Sequence, residues 1–306
     1  MKNIIKNTKK TIAITLSLLF GLNLQAQVPT GENLDFSTGG YQFWQAKTGN
    51  YDGTSSQPIF NWTTPWSDPT QASDEGGRFF VIYNGGTDSY SLNQLSRVPE
   101  GFTHSSQINN AEGGADCSQL QYTMEVNLEN CLLTFMYAMV LEAPDHAGYQ
   151  NPTFQIDVMK HSPDNGMMLE ELVDPCAFFE KISNETLPTT EPEVWHNGQG
   201  GSWGDGWIYC DWQQIKINLA RYVGDRITIR VRLGDCSPTA HGGYGYFTAK
   251  AEPALINTPG CAGNGDTVTV ASAPGGFESY KWFEVSSTFL SQDELADLDA
   301  NSPALS

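Results

Sequence analysis

The fold of this 306-residue chain is decided by residues 226–249, which have the sequence RITIRVRLGDCSPTAHGGYGYFTA. Residues 226–233 alternate between apolar and polar side chains, which predicts a strand with one buried face. Residues 244–249 are aromatic and bounded by glycines, which predicts a second strand. The segment between them is rich in Gly and polar residues and predicts a loop. We expect the two strands to form the closing edge of a larger sandwich.

Two polar segments beside predicted strands hold the main candidate ligand-binding residues. Asp235 and His241 lie between the two strands of 226–249. Asp145 and His146 follow an apolar run. If both segments lie at one end of a sandwich, these side chains could converge on a metal ion. A zinc ion would require three or four of them as ligands. The alternative is structural, because Asp routinely closes turns and His241 could pack on an aromatic ring. Tyr244, at the start of the second strand, is a further candidate.

Further strands are predicted where apolar or alternating runs are bounded by turn residues. These runs cover residues 78–83, 120–126, 132–141, 153–159 and 207–219. The segments 54–77, 84–116 and 180–206 are rich in Gly and polar residues and predict long loops. We expect about nine strands, which is enough for two antiparallel sheets packed face to face. The predicted fold class is all-β, with a jelly-roll-like antiparallel β-sandwich over residues 27–252.

The first 26 residues predict export. Four lysines precede an apolar run at 11–22, which has the length of a signal peptide and is too short to span a bilayer. Leu24, Gln25 and Ala26 match a small-residue cleavage site. No other apolar run is long enough for a transmembrane span. We therefore expect an extracellular or outer-surface location without a membrane helix.

The composition is acidic, with a formal net charge of −19. Such a surface repels nucleic acid and anionic membranes, so nucleic acid is excluded as a partner. Ca²⁺ prefers oxygen ligands, which makes it a candidate cofactor. The charge is also explained by solubility alone, because exported proteins are often acidic.

The end of the sequence predicts a second domain. Residues 253–260 predict a linker, and residues 261–285 predict two strands around a Gly-rich turn. An immunoglobulin-like domain needs about seven strands. Residues 261–306 are therefore expected to be a truncated Ig/PKD-like domain.

Three motifs carry a resemblance to a known group of proteins. They are ENCLLTFMYAMVLEAPDHAGYQNPTFQIDV at 129–158, PCAFFE at 175–180 and DWQQIKINLARYVGDRITIRVRLGDCSPTAHGGYGYF at 211–247. In this order they resemble a domain of exported Bacteroidota surface proteins of the adhesin-like and gliding-associated type, exported by the type IX route. In that family a jelly-roll-like sandwich precedes PKD or Ig-like repeats. The resemblance implies a role in surface recognition or adhesion.

Six cysteines are present, and an even number in an exported protein predicts disulfides. A link between Cys176 and Cys210 would tie the ends of the 180–206 segment. A link between Cys236 and Cys261 would hold the linker to the loop of 226–249. Cys117 and Cys131 are the remaining candidates, although a simple hairpin over 120–140 would keep them apart.

Several tryptophans are predicted to lie in or beside long loops. They are Trp62, Trp66, Trp195, Trp203 and Trp207. Exposed aromatic rings stack on the flat apolar faces of sugars, and Trp203 and Trp207 are the principal candidates. The alternative is that these rings close the ends of the sandwich.

The function predicted from these features is non-enzymatic recognition or adhesion, with glycan or host or cell-surface protein bound through loops at the sandwich end. One alternative is an ancillary domain of an exported hydrolase. Acid pairs that could serve glycoside hydrolysis would come from Glu170, Glu171, Asp174, Glu191 and Glu193. The other alternative is a structural spacer in a long surface protein.

Overall fold

The computed structural model describes residues 28–69, 77–162, 165, 167–183, 195–200 and 206–254. These residues form two antiparallel sheets packed face to face, so the prediction of an all-β sandwich is confirmed. The predicted signal peptide and second domain lie outside the described residues, as does most of the predicted linker. Among the described residues, no helix combines the length and the apolar character needed to cross a membrane.

Thirteen strands lie along the described chain. They are β1 (Trp44–Tyr51), β2 (Phe60–Trp62), β3 (Phe79–Ile82), β4 (Ser105–Ile108), β5 (Asp116–Glu125), β6 (Leu132–Glu142), β7 (Thr153–His161), β8 (Met168–Leu172), β9 (Phe178–Ile182), β10 (Trp195–Gly200), β11 (Gly206–Asn218), β12 (Arg226–Gly234) and β13 (Gly243–Glu252). Short 3₁₀ turns lie at Gly148–Gln150, Pro175–Ala177 and Ala220–Tyr222. The first sheet has the order β2-β1-β5-β12-β7-β8, with β9 also paired to β7, and the second has the order β10-β11-β6-β13-β4-β3.

The two strands of residues 226–249 belong to different sheets. β12 lies between β5 and β7 in the first sheet, and β13 lies between β6 and β4 in the second. The prediction that they form a closing edge is therefore wrong. The loop 235–242 crosses between the sheets at one end of the sandwich. The connection 143–152 crosses at the same end, because Gly234 pairs with Thr153 and Gly243 pairs with Leu141.

The core lies between the two sheets. β12 contributes the four residues predicted from its alternation, all fully buried: Ile227, Ile229, Val231 and Leu233. β6 contributes Leu133, Phe135, Tyr137, Met139 and Leu141 to the same cluster. Each such side chain stabilises the fold by about 1.5–3 kcal/mol relative to an exposed one. The sandwich therefore depends on the alternation that the sequence shows in β12.

A second hydrophobic cluster covers the outer face of the second sheet. Val140 and Tyr246 project outward there and pack with residues such as Leu95. Asp88 is only 1% exposed and accepts hydrogen bonds from the hydroxyls of Tyr244 (2.5 Å) and Tyr246 (2.7 Å). β6 and β13 are thus covered on both faces, which explains why their sequences are apolar or aromatic almost throughout.

Three strands, β2, β4 and β10, lie within segments that were predicted as loops, and β9 overlaps such a segment by three residues. β4 has the sequence SSQI, and its four residues are buried. It has no alternation of apolar and polar residues, and it is held by pairing with β3 and β13. The hydroxyl of Tyr41 also lies 2.7 Å from Oγ of Ser106. The prediction failed here because the stability of β4 comes from partners that are distant in sequence.

Gly245→Ala is expected to destabilise the sandwich. A Cβ atom at Gly245 would lie 2.5 Å from Cε2 of Phe154, which packs from the opposite sheet. Overpacking of this kind costs about 1–3 kcal/mol, so the midpoint of urea unfolding should fall with an unchanged slope. Gly40→Ala is the control, because nothing lies within 4 Å of its Cβ position. Equal midpoints for the two variants would contradict this close packing.

Candidate functional site

Three side chains of the two crossing loops meet at one end of the sandwich. The ring centroids of His146 and His241 are 5.2 Å apart. Sγ of Cys236 lies 3.3 Å from Nδ1 of His241. One donor atom from each of the three residues lies within 4.8 Å of the others. We call His146, Cys236 and His241 the rim cluster.

The loop 235–242 turns tightly around Cys236. The backbone N–H of Cys236 donates to the carbonyl of His241 at 3.0 Å. In return, the N–H groups of Ala240 and His241 donate to Sγ of Cys236 at 3.3 and 3.1 Å. Burial raises the pKa of this thiol, and the two N–H groups act in the opposite direction. Backbone hydrogen bonds therefore fix the sulfur in place beside the imidazole.

The second loop holds His146 through Asn151. The backbone N–H of His146 donates to Oδ1 of Asn151 at 3.3 Å, and Nδ2 of Asn151 donates to the carbonyl of His146 at 3.0 Å. Nε2 of His146 is buried and has no hydrogen-bond partner within the described part of the chain. Asp145 is exposed and is not among the converging donors.

Asp235 is fully buried next to the rim cluster and joins the loop 235–242 to neighbouring segments. Its Oδ1 accepts a hydrogen bond from Nδ2 of Asn109 at 2.7 Å, and its Oδ2 accepts one from the N–H of Asp116 at 3.3 Å. Burial raises its pKa well above the usual range for a carboxyl. This geometry matches the structural alternative for Asp235.

Trp207 and Tyr244 lie in the cluster that covers the second sheet. They are 4% and 3% exposed, and their ring centroids are 5.9 Å apart. Tyr90 covers Trp207 at 4.4 Å. Trp207 is the second residue of β11, beside the 180–206 segment as predicted, but it is buried, so the prediction that it offers an open stacking surface is wrong. Trp203 lies outside the described residues.

Cys117 and Cys131 are free thiols, so their predicted pairing is wrong. Cys117 lies in β5 of the first sheet, whereas Cys131 directly precedes β6 of the second. Both are buried, and burial raises the pKa of Cys117 to about 12. A simple hairpin over 120–140, the condition considered for keeping these cysteines apart, does not form, because β5 and β6 belong to opposite sheets.

Cys236 is also a free thiol, directed at His241 instead of a cysteine. Its predicted partner, Cys261, lies outside the described residues. Cys210 is buried in β11, where its Sγ lies 3.4 Å from the carbonyl oxygen of Asp211. The side chain of Cys176 lies outside what the structure describes, so its predicted link to Cys210 stays a prediction.

A second candidate site lies on the outer face of the first sheet. One row across β1, β5, β12 and β7 consists of Lys47, Gln119, Arg232 and Gln155. The adjacent row consists of Gln45, Gln121, Arg230 and Asp157. We call these two rows the polar face. Their neighbours along β5, β12 and β7 fill the core, so these side chains point away from it.

Asp157 is the centre of an ion-pair network on the polar face. It is 2% exposed and accepts Nε of Arg230 at 2.6 Å and one terminal nitrogen of Arg232 at 2.5 Å. Both terminal nitrogens of Arg230 also donate to the carboxylate of Glu170 in β8, at 3.2–3.3 Å. Burial disfavours the charged form of Arg230, but the hydrogen bonds and charges of Asp157 and Glu170 together outweigh burial and raise the pKa of Arg230. One carboxylate thus orders two guanidinium groups.

Aromatic rings border the polar face along β2. The rings of Phe60 and Trp62 stack, with centroids 5.5 Å apart and planes 6° apart. Nζ of Lys47 lies 3.9 Å from the ring centroid of Trp66, and the guanidinium carbon of Arg232 lies 5.4 Å from that of Phe60. These cation–π contacts put the rings and the polar face on the same side of the sheet.

Three buried atoms of the polar face have spare hydrogen-bonding capacity. Oε1 of Gln121, Oε1 of Gln155 and Nε of Arg232 find no partner among the described residues. Buried polar atoms are usually hydrogen-bonded, and an unsatisfied one costs about 1–3 kcal/mol. These atoms lie on adjacent strands, so the unused capacity is concentrated in one area.

Sequence analysis did not identify the polar face, although part of the signal was present. The alternation of β12 assigned Arg230 and Arg232 to the side opposite the core, and that assignment is confirmed. Their partners on β5 and β7 could not be identified, because the order of strands in a sheet is not encoded in any one strand. Trp62 was named as a sugar-stacking candidate, but it was predicted to lie in a loop and it lies in β2.

No protein-family model matches this chain, and no curated protein matches it. Among solved structures, it is similar to TmCBM61 in complex with β-1,4-galactotriose, with 12% identity and a TM-score of 0.32 over 72% of this chain and 97% of that chain. It is also similar to the family 11 carbohydrate-binding module from Clostridium thermocellum in complex with a β-1,3-1,4-mixed-linked tetrasaccharide. That match has 9% identity and a TM-score of 0.26 over 69% of this chain and 97% of that chain. A third match is the enzymatically active domain of bacteriophage CBA120 tailspike protein 4, with 6% identity and a TM-score of 0.34 over 73% of this chain and 21% of that chain. TM-scores this low assign neither a ligand nor an activity to this chain.

Asp157→Ala is expected to lower the free energy of unfolding by about 3–5 kcal/mol, because it leaves two partly or fully buried guanidinium groups without their shared carboxylate. Chemical denaturation would measure the loss. Glu170→Ala is the matched control, because the Glu170 side chain is 73% exposed and exposed ion pairs contribute at most about 1 kcal/mol. Similar losses in the two variants would contradict the central role of Asp157.

Proposed function

We propose that this chain is a non-enzymatic recognition module that binds glycans on the polar face of its first sheet. The observation that carries the proposal is the stacked pair Phe60–Trp62 beside two rows of hydrogen-bonding side chains. A sugar presents both a flat apolar ring face and a set of hydroxyl groups. Aromatic rings complement the first, and convergent amide, guanidinium and carboxylate groups complement the second.

The charges of the polar face favour a neutral glycan. Lys47, Arg230 and Arg232 are balanced there by Asp157, Glu170 and Glu180, within the described part of this face. The carboxylates pair with guanidinium groups or accept hydrogen bonds, as Glu180 does from Gln155 and from the hydroxyl of Tyr149. A polyanion would meet no excess of positive charge, whereas neutral hydroxyls require none.

The dimensions of the face suit an oligosaccharide. From β2 to β9 the first sheet is six strands wide, which is roughly 24 Å at the usual strand spacing of ~4.8 Å. Phe178 on β9 is 43% exposed and in register with Asp157, so a second aromatic ring lies at the far border. A chain of several sugar units laid across the strands would meet an aromatic ring at each end.

This proposal moves the binding surface from the loops of the sandwich end to the sheet. Exported placement and an adhesin-like role at the cell surface remain part of it, supported by the signal-peptide pattern of residues 1–26. Ion pairing of the candidate acids disfavours an acid pair in this chain that would catalyse glycoside hydrolysis, and it leaves the ancillary-domain alternative open. Glu170, Glu171 and Asp174 form ion pairs with Arg230, Lys160 and Arg221, and Glu191 and Glu193 lie outside the described residues.

Trp62→Ala is expected to weaken binding of neutral oligosaccharides about 30-fold, because removal of an aromatic anchor costs about 2 kcal/mol. A glycan array with the full chain would identify the ligand, and calorimetry would compare the affinities. Tyr83→Ala is the control, because Tyr83 is 60% exposed and follows β3 of the other sheet. No binding to any glycan, or equal affinity of the Trp62→Ala variant, would overturn the proposal and favour the spacer.

A further inference from the structure

We propose that the rim cluster is a binding site for a divalent transition-metal ion of the Zn²⁺ type. The ligands would be the thiolate of Cys236 and the imidazoles of His146 and His241. The proposal is independent of glycan binding, because its residues belong to the crossing loops and not to the polar face. It rests on three features: the separation of the donors, their chemistry and the way in which the loops hold them.

The donor separations fit a single ion. Zinc lies about 2.3 Å from sulfur and about 2.0–2.1 Å from nitrogen in tetrahedral sites, so two of its ligand atoms lie roughly 3.5 Å apart. The observed distance from Sγ of Cys236 to Nδ1 of His241 is 3.3 Å. The donor of His146 lies within 4.8 Å of both, and the half-buried His146 ring can close the remaining gap by rotation. Three protein ligands would leave a fourth position for water or another ligand.

The chemistry of the donors selects the class of metal. Thiolate and imidazole suit zinc and copper, whereas Ca²⁺ and Mg²⁺ require oxygen ligands. The rim cluster offers no oxygen among its three donors. Ca²⁺, which the acidic composition suggested as a cofactor, is therefore a poor match for this site. One sulfur and two nitrogens supply three of the four ligands of a tetrahedral Zn²⁺ site. Zn²⁺ has no redox chemistry, so it can bind beside the thiolate without oxidising it.

The loops provide the support that metal ligands need. Two backbone N–H groups donate to Sγ of Cys236, which stabilises negative charge on sulfur. Asn151 holds the backbone of His146 from both sides. Nε2 of His146 is buried without a hydrogen-bond partner among the described residues. This nitrogen can therefore bind a metal ion without breaking a hydrogen bond that the structure shows. Binding would displace the thiol proton of Cys236 into solvent and form the sulfur–metal bond.

A metal at this position would link two connections that are distant in sequence. His146 belongs to the crossing from β6 to β7, and Cys236 and His241 belong to the crossing from β12 to β13. Both crossings join the two sheets at the same end of the sandwich. An ion there would fasten the sheets together, as a disulfide does in other exported domains. Stability should therefore rise with metal concentration, since the ion binds only the folded arrangement.

Metal titration of the reduced, chelator-treated full chain tests the proposal. Co²⁺ should bind with one equivalent per chain and give a thiolate-to-cobalt charge-transfer band, and Zn²⁺ should displace it. At a Zn²⁺ concentration about 100-fold above Kd, the thermal midpoint should rise by about 5–10 °C. Lower pH should weaken binding, because protons compete for the thiolate and the imidazoles.

Matched variants locate the site. Cys236→Ser should abolish the charge-transfer band, whereas Cys117→Ser, which alters another buried thiol, should retain it. His146→Gln should weaken Zn²⁺ binding at least about 100-fold, more than loss of a supporting residue does, and His104→Gln should leave the affinity unchanged. His146 is only half-buried, so circular dichroism should show its variant folded without metal. Absence of the band in the parent chain, or a band that survives in Cys236→Ser, would overturn the proposal.

Discussion

Burial of alternate residues of β12 against the second sheet is the constraint on which the remaining structure depends. Ile227, Ile229, Val231 and Leu233 are fully buried, and β12 lies in the middle of the first sheet. The next strand, β13, lies in the middle of the second sheet. The chain must therefore cross from sheet to sheet within a short loop, and that crossing brings Cys236 and His241 to one end of the molecule.

The same alternation produces the polar face. Because every second residue of β12 is committed to the core, Arg230 and Arg232 both project outward, where the adjacent strand β7 supplies Asp157. Two like charges this close are stable only with a shared carboxylate. The ion pairs fix the direction of the guanidinium groups, and the paired strands fix the backbone that carries them. Rigid strands position a binding surface more accurately than loops do.

The two proposed sites use the fold in different ways. The polar face combines ordered hydrogen-bonding groups with the rings of β2, and it lies on a sheet whose opposite side is the core. The rim cluster combines residues from two crossing loops, and its geometry depends on the stacking of those loops. Cys236 illustrates the difference between expectation and structure: it was expected to form a disulfide with Cys261, but its observed neighbour is the imidazole of His241.

The sequence by itself determined the fold class, the strands with clear alternation and the loops that carry His146 and His241. Local pattern is sufficient for these, because each strand buries the face that its own residues define. Only the tertiary structure decided that β12 and β13 lie in different sheets, that β4 is a strand, and that Arg230 lies beside Asp157. Those features depend on which strands are neighbours, and that is set by packing between segments a hundred or more residues apart in some pairs. The meeting of His146 with Cys236 has the same origin, since two loops far apart in sequence become adjacent only when both sheets have formed.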